Sequence, residues 1–270
     1  MEWRNLYRGL VMGASDVIPG VSGGTIAVVL GIYDRLIEAI NGIFSRDFKR
    51  HFLFLLPLGI GVLTAIFLLA RVIEWLFEHY PAQTQFAFLG LIIGVLPFLF
   101  NKSEAKQNFK IPHYLLILLG IAIVAPMMLL QTGEGAIITE FSTSTYIWLF
   151  FSGFAASAAM ILPGISGSFI LLVIGSYATI ISAINDRNLL VIFITGIGIL
   201  LGILLMSKVI HKLFATFPIG TYAVVIGMVI GSIFVIFPGF PATTGGILGC
   251  VVTFAIGLLS AYLLGKVEYE

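Results

Sequence analysis

Charged residues are scarce in this chain. Only 14 of its 270 residues are Lys or Arg and 13 are Asp or Glu, which together make 10% of the sequence. Soluble domains carry charge at roughly a quarter of their positions, because a surface that faces water needs it. With 59% hydrophobic residues and a mean hydropathy of +1.11, the chain cannot cover a globule of its size with polar groups. Lipid is therefore predicted to be its solvent, and a net charge of +1 gives no indication of a nucleic-acid partner.

Residues that build disulfides and metal sites are also few. Cys250 is the single cysteine, so no intrachain disulfide can form, and its apolar surroundings predict a buried thiol. No cleavable signal peptide is expected, because the apolar run after the basic N-terminus contains Asp16 and a Pro-Gly break. We predict no metal and no cofactor, since the four histidines lie near segment ends without partners: His51, His79, His113 and His211.

Long uncharged stretches fill most of the chain. Each is about long enough to cross a hydrocarbon core of roughly 30 Å as a helix. These stretches predict an all-α polytopic membrane protein. They are residues 52–70, 84–100, 114–130, 189–207, 219–237 and 242–265.

The chain contains an internal repeat. Residues 19–33 match residues 163–177 at an offset of 144, with 8 identities in 15 positions. Residues 59–94 match 196–231 at an offset of 137, with 15 identities in 36. Apolar composition inflates chance matches, but it cannot place glycines and prolines in register. Two repeats, 1–133 and 134–270, are therefore predicted within one integral membrane domain.

Each repeat begins with a segment that a Pro-Gly sequence interrupts, residues 6–38 and 146–182. About 35 residues would make one helix of about 50 Å, which is too long for a single crossing. We expect two half-helices that return to the starting side, either as a re-entrant hairpin or as two thin spans. Three ordinary spans follow, and because three is odd, the second repeat is predicted to be inverted. Inverted repeats with discontinuous helices are typical of transporters.

The placement of Lys and Arg supports this topology. With the N-terminus in the cytoplasm and both interrupted segments returning, 12 cations are cytoplasmic and only Arg71 and Arg187 are outside. If each interrupted segment crossed once, the count would be 6 against 8. Both termini are therefore predicted to be cytoplasmic. The 12 cations are Arg4, Arg8, Arg35, Arg46, Lys49, Arg50, Lys102, Lys106, Lys110, Lys208, Lys212 and Lys266.

The two Pro-Gly-x-Ser-Gly loops suggest an anion site. Ser22 and Ser166 stand at predicted helix N-caps, so the following half-helices would aim unpaired N–H groups and a positive dipole end at the membrane centre. Phosphate is a common guest of such an end. Alternatively, the small residues only allow close helix packing. The candidate phosphate-binding residues are Ser15, Pro19, Gly20, Ser22, Gly23, Gly24, Thr25, Pro163, Gly164, Ser166, Gly167 and Ser168.

Three charged residues are further candidates. Asp16 is the acidic residue expected at depth, and its counterpart in the second repeat is Met160. It could carry protons, as intramembrane carboxylates often do, or bond the loop amides as a cap. Arg71 and Lys208 occupy matching positions that inversion would place on opposite faces. They could attract phosphate as gate cations, or snorkel to the interface without a further role.

The run Gly-Ala-Ser-Asp-Val-Ile-Pro-Gly-Val-Ser-Gly-Gly-Thr at residues 13–25 resembles a known signature. It is similar to that of the bacterial polyprenyl-phosphate transporters (PopT), formerly a domain of unknown function, and the similarity extends over the chain to residues 163–168. The resemblance implies that the protein returns undecaprenyl phosphate, the lipid carrier of cell-wall precursors, from the outer to the inner leaflet of the bacterial plasma membrane. Composition and spacing by themselves indicate only a membrane site suited to an anion.

Two enzymes are rival interpretations. Undecaprenyl-pyrophosphate phosphatases have similar loops, but the position of their arginine is occupied here by Gly23 and Gly167. Without that arginine, little would stabilise the charge on a leaving phosphate. Residues 20–23 also read Gly-x-Ser-Gly, as in a serine protease, but no histidine lies mid-span to act as the base. A scaffold would not explain inverted broken helices. A transporter rather than an enzyme is therefore predicted.

Overall fold

The computed structural model describes residues 2–16, 22–130, 137–138 and 140–268, and only the backbone at positions 16, 70, 74, 267 and 268. Every regular element in these residues is helical, with short 3-10 turns at Gly42–Phe44 and Ala125–Leu129. The helices are α1 (Arg4–Asp16), α2 (Gly23–Val29), α3 (Tyr33–Asn41), α4 (Phe48–His79), α5 (Pro81–Lys102), α6 (Ala105–Asn108), α7 (Ile111–Val124), α8 (Thr143–Ile161), α9 (Gly167–Ile174), α10 (Tyr177–Asn185), α11 (Leu189–Thr216), α12 (Pro218–Ile236) and α13 (Thr244–Glu268).

Seven helices in the described part of the chain are long and apolar enough to cross a membrane. Six of them, α4, α5, α7 with its following turn, α11, α12 and α13, coincide with the six predicted stretches. The seventh is α8, which forms the first arm of the second interrupted segment. Large apolar side chains such as Phe67, Leu200 and Leu248 are exposed on the outside of these helices, as lipid contact requires. The prediction of an all-α polytopic membrane protein is confirmed.

Helices α4 and α11 each continue nine residues beyond the predicted stretch, to His79 and Thr216. The sequence suggested an end at the first cation, but a cation does not interrupt the backbone hydrogen bonds of a helix. The break comes one residue before a proline that opens the next helix, where a missing N–H is tolerated. The two break residues have nearly the same backbone angles: Tyr80 has φ −137° and ψ 50°, and Phe217 has φ −138° and ψ 60°.

The two interrupted segments have matching elements. Helices α2 and α9 begin at equivalent positions, and α3 and α10 cover the same nine positions of the alignment. A glycine with positive φ precedes α3 and α10: Gly31 at 65° and Gly175 at 82°. Each segment therefore contains three helices instead of the expected two half-helices, because this glycine turns the returning arm once more. Helices α9 and α10 meet at 107°.

The first arms of these segments differ in length. Helix α1 has 13 residues, whereas α8 has 19 and is about 28 Å long at the usual rise of a helix. Helix α8 is thus longer than a half-helix. Contacts nevertheless join the residues just before each segment to the last part of that segment. Glu2 forms an ion pair of 2.6 Å with Arg35, and the Ile138 amide donates to Thr179 Oγ1 over 3.1 Å.

Four helix pairs organise the bundle: α1 with α4, α8 with α11, α5 with α13, and α7 with α12. The last two pairs join helices of different predicted repeats. Their backbones approach so closely that a Cβ at Gly90 would strike the Phe254 carbonyl, and a Cβ at Gly227 the Ile117 carbonyl. The short helix α2 lies in the middle of the bundle with all seven residues buried. It brings the first loop into contact with α8 and α5.

Candidate functional site

The structure brings the described parts of the two loops together. The Gly164 amide donates to Thr25 Oγ1 over 2.7 Å, and both groups are buried. Gly24, in the first turn of α2, faces the end of α8. A Cβ at that position would lie 3.1 Å from the Ile161 carbonyl oxygen and 3.2 Å from that of Met160. Residues 139 positions apart thus meet in one place.

The hydroxyl groups of the first loop already have protein partners. Ser22 caps α2 by accepting from the Thr25 amide over 3.2 Å, and the two hydroxyls share a bond of 2.9 Å. Ser15 donates to the Met12 carbonyl over 2.6 Å. All three hydroxyl residues are about 1% exposed. This confirms the predicted cap at Ser22, and it means that these three hydroxyls already have partners within the protein.

Three predicted features of the first loop lie outside the described residues. They are the positions of Pro19 and Gly20 and the side chain of Asp16. The backbone of Asp16 is described and forms the last residue of α1.

The second loop leaves its donors available. Ser166 stands at the N-cap position of α9, as predicted, but its side chain makes no capping bond. Its hydroxyl instead shares a bond of 2.9 Å with that of Ser168, which is an exposed residue. Among the described atoms, none accepts a hydrogen bond from the amides of Gly167 and Ser168. Two hydroxyls and two amides therefore converge at a helix start whose dipole favours an anion.

Gly164 fixes the second loop against α12. Its φ of +85° favours glycine, and a Cβ there would lie 2.8 Å from the Met228 carbonyl oxygen. The next residue, Ile165, is buried in a cluster with Met228 and Val124. For Gly164 the packing explanation is therefore sufficient. Pro163 before it is buried as well.

The loops show no catalytic constellation in the described residues. The hydroxyls of Ser166 and Ser168 bond each other and neither a histidine nor a carboxylate. A nucleophilic serine needs a base within hydrogen-bond reach. In the same part of the chain, no three His, Cys, Asp or Glu side chains are grouped as metal ligands would be. The arrangement is suited to binding an anion.

Arg71 and Lys208 are exposed and lie on α4 and α11, each eight residues before the end of its helix. Their matching positions in the sequence correspond to matching positions in the fold. The structure does not bring them into the loop contacts described above.

Sequence reasoning missed the side chains that hold α3. The Tyr33 hydroxyl donates to the Ile161 carbonyl over 3.0 Å, and its ring meets Phe214 edge-on at 6.1 Å between centroids. Lys102 Nζ donates to the Gly31 carbonyl over 3.2 Å and pairs with Asp34 over 3.1 Å. Tyr33 aligns with Tyr177 in the repeat, but an identity does not reveal the partner of either residue.

Two apolar cavities reach residues at the end of α8. The larger, about 530 Å³, is bounded by α7, α11, α12 and Tyr33 and reaches Leu162. We call it the α12 cavity. The smaller, about 440 Å³, is bounded mainly by α3 and α4 and reaches Gly24 and Ile161. We call it the α4 cavity.

Comparison with known proteins identifies the family of this chain. The family model described as VCA0040-like, undecaprenyl phosphate translocase-like, matches residues 12–247. The chain belongs to this family. The matched range includes both loops and every helix from α2 to α12, so the resemblance predicted from residues 13–25 is confirmed.

Two known proteins are similar to this chain over most of their length. A protein of Staphylococcus aureus (strain NCTC 8325 / PS 47), named polyprenyl-phosphate transporter, is 41% identical over 278 aligned positions, covering 100% of this chain and 98% of its own. A protein of Vibrio cholerae serotype O1 with the same name is 35% identical over 255 positions, covering 88% of this chain and 79% of its own. No solved structure matches the chain significantly.

Proposed function

We propose that the protein carries undecaprenyl phosphate, or a closely related polyprenyl phosphate, from the outer to the inner leaflet of the bacterial plasma membrane. There it would recycle the lipid carrier of cell-wall precursors. Membership of the family and the names of the two relatives support a polyprenyl-phosphate substrate. The seven membrane-length helices of the described chain support a multi-pass membrane protein. The proposal is a transporter and not an enzyme.

The start of α9 is the proposed headgroup site, and its uncapped donors are the observation that carries the proposal. The Gly167 and Ser168 amides and the hydroxyls of Ser166 and Ser168 can all donate to phosphate oxygens. Bonds to an ionised acceptor are roughly twice as strong as neutral ones. The hydroxyls of Ser22 and Thr25 would contact the headgroup only when they release their present bonds.

The proposed architecture is a pair of inverted repeats, 1–133 and 134–270, with both termini in the cytoplasm. Matching starts of α2 and α9, matching breaks at Tyr80 and Phe217, and the contacts across each interrupted segment support it. Such a pair presents one central site alternately to two faces. Arg71 and Lys208 would then stand on opposite faces and attract the phosphate.

Proton coupling is part of the proposal. A phosphate monoester carries about −1.5 to −2 charges near neutral pH. Moving it inward against an inside-negative potential costs about 2.3 kcal/mol per charge per 100 mV, which is on the order of 4 kcal/mol. Protons moving with the substrate would offset this cost, and Asp16 at the end of α1 is the proposed carrier.

The test is reconstitution in liposomes with a labelled polyprenyl phosphate whose accessibility to an impermeant quencher is followed at several pH values. We expect protein-dependent movement between leaflets without release of inorganic phosphate, measured in the same samples. Ser166→Ala should reduce the rate, and Asp16→Asn should flatten its dependence on pH. Protein-free liposomes and a labelled phosphatidylglycerol are the controls.

Two outcomes would contradict the proposal. Phosphate release from the pyrophosphate form would indicate a phosphatase, and absence of both signals would remove the transport function. If Asp16→Asn moves the lipid with the wild-type pH profile, Asp16 is not the proton carrier although transport stands.

A further inference from the structure

We propose that the α12 cavity binds the isoprenoid chain of the lipid whose phosphate lies at the start of α9. This inference rests on the proposed function, because it assigns the chain of the same substrate. It adds a second recognition element, one that distinguishes a polyprenyl phosphate from other phosphate-bearing lipids.

The shape and lining of the α12 cavity suit a linear hydrocarbon. On α12 its lining runs from Pro218 to Met228, a rise of about 15 Å along the helix. Its volume is about 530 Å³. The lining side chains are apolar apart from Tyr33, His113 and Thr221.

The inner end of the α12 cavity adjoins the proposed headgroup site. Leu162 and Met228 form this end, and the Met228 carbonyl packs against the Gly164 turn. Ile165 packs on Met228 and is followed directly by Ser166. A hydrocarbon chain attached to a phosphate at the start of α9 would therefore be separated from this apolar cavity only by Ile165 and the Gly164 turn.

The α4 cavity fits the same lipid less well. Its inner end lies where Gly24 faces the carbonyl oxygens of Met160 and Ile161, and these oxygens are the negative end of α8. A phosphate placed there would meet two carbonyl oxygens beside the Gly24 amide. At the start of α9, two hydroxyls add to the amides as donors, so the chain is assigned to the α12 cavity.

Three Leu→Trp variants test the assignment. Leu213 lines the α12 cavity and is 43% exposed, and Leu63 lines the α4 cavity and is 57% exposed. Leu200 lies on α11 with 61% exposure and lines neither cavity. Each position has room for a larger side chain, so all three variants should fold.

We expect Leu213→Trp to slow the movement of long-chain polyprenyl phosphate roughly tenfold, because the indole displaces part of the chain and its packing contacts. The transport rates of Leu63→Trp and Leu200→Trp should stay within about twofold of the wild-type rate, because neither residue lines the α12 cavity. A polyprenyl phosphate of two or three isoprene units should be much less sensitive to Leu213→Trp, because a short chain leaves most of the cavity empty.

A photoreactive polyprenyl phosphate, with a diazirine in its first isoprene units, supplies a readout that does not depend on transport. It should label peptides containing Leu116 and Leu213, both of which line the α12 cavity. A diazirine-bearing phosphatidic acid is the matched control and should label them weakly. Equal labelling by phosphatidic acid would overturn the inference, since the cavity would then accept any lipid chain.

The outcomes separate this inference from the proposed function. If the wild type moves polyprenyl phosphate while Leu213→Trp behaves as Leu200→Trp does, the chain assignment is wrong and transport stands. If the wild type moves no lipid but the selective labelling appears, the chain site stands and the transport proposal fails. Loss of both signals would remove both.

Discussion

The two interrupted segments of the molecule have nearly the same elements and very different surroundings. Ile37 on α3 and Ile181 on α10 occupy equivalent positions, yet Ile37 is 1% exposed and Ile181 is 40% exposed. Helix α3 packs against α11, whereas within the described residues α10 makes no comparable contact with α4. Matching sequence has therefore produced matching helices, and the asymmetry arises in how those helices pack.

The two Pro-Gly-x-Ser-Gly loops also differ in how their serine and threonine hydroxyls are used. In the first loop, Ser22 and Thr25 use their hydroxyls within the protein, and Thr25 also holds the second loop at Gly164. In the second loop, Ser166 leaves the start of α9 uncapped. Among the described residues, the first loop thus uses its hydroxyls to hold the protein together, while two hydroxyls at the proposed headgroup site bond only each other.

A protein built from two related repeats can adopt two asymmetric packings, one for each repeat that is packed against the other. The proposed inverted repeats predict a second state in which α10 packs on α4 and α3 leaves α11, because each state would be the other with the repeats exchanged. A substrate that binds the two states unequally would shift their populations. The predictions below test this exchange.

The largest effect is expected from locking α3 to α11. Tyr33 and Phe214 join these helices with ring centroids 6.1 Å apart. In a Cys250→Ser background, we expect a short bifunctional thiol reagent to cross-link Tyr33→Cys with Phe214→Cys and to reduce transport to the level of empty liposomes. Cleavage of the linker should restore transport, because only the exchange of packing was blocked.

The equivalent pair Tyr177→Cys and Phe77→Cys supplies the comparison. Its cross-link should form only in molecules that lack the first one, as mass spectrometry of a four-cysteine variant can determine. Each single-cysteine variant treated with the reagent controls for modification alone. The simultaneous presence of both cross-links in one molecule would show that the packings do not exclude each other.

Much of this fold could be predicted from the sequence, because the controlling signals are local. The length of uncharged runs predicted six spans, and glycines and prolines in register predicted the matching elements. The N-cap preference of serine predicted helix starts at Gly23 and Gly167. The predicted ends of α4 and α11 are nine residues too early, because the first cation does not end a helix. The helices end at the backbone breaks at Tyr80 and Phe217.

The asymmetry could not have been predicted, since it depends on contacts between distant residues of the same type. The residue type is the same at both positions, so the sequence does not indicate that Ile37 is buried and that Ile181 is exposed. The bond from Gly164 to Thr25 joins residues 139 positions apart, and Phe169 stands at the position equivalent to Thr25. The pairing of α5 with α13 is likewise a property of the assembled bundle.

A smaller effect is expected from the two serines at the N-cap positions of α2 and α9. Ser166→Ala removes a proposed donor to the phosphate, so the apparent affinity for polyprenyl phosphate should fall about tenfold, which is the low end for a hydrogen bond to a charged group. The melting temperature should not change, because Ser166 caps nothing. Ser22→Ala should instead lower the free energy of unfolding by about 1 kcal/mol through loss of the α2 cap.

Substrate titration of the transport rate and thermal unfolding in detergent measure the two quantities. Ser182→Ala, which changes an exposed hydroxyl bonded to Asp186, is a control for loss of a serine outside the loops. A destabilised Ser166→Ala with normal affinity would indicate that the second loop is structural and that the headgroup lies elsewhere.

The smallest effect is expected from removing one methyl group at the matched isoleucines. Ile37→Val should reduce the free energy of unfolding by about 1 kcal/mol, as for a buried methyl group, whereas Ile181→Val should change it little. Thermal unfolding of both variants in the same detergent gives the difference. Trapping the second state through the cross-link of residues 177 and 77 should reverse the order, because α10 would then be the packed helix. If Ile37→Val remains the more destabilising change in the trapped protein, the packing of α3 is a fixed part of the fold, and transport requires another moving element.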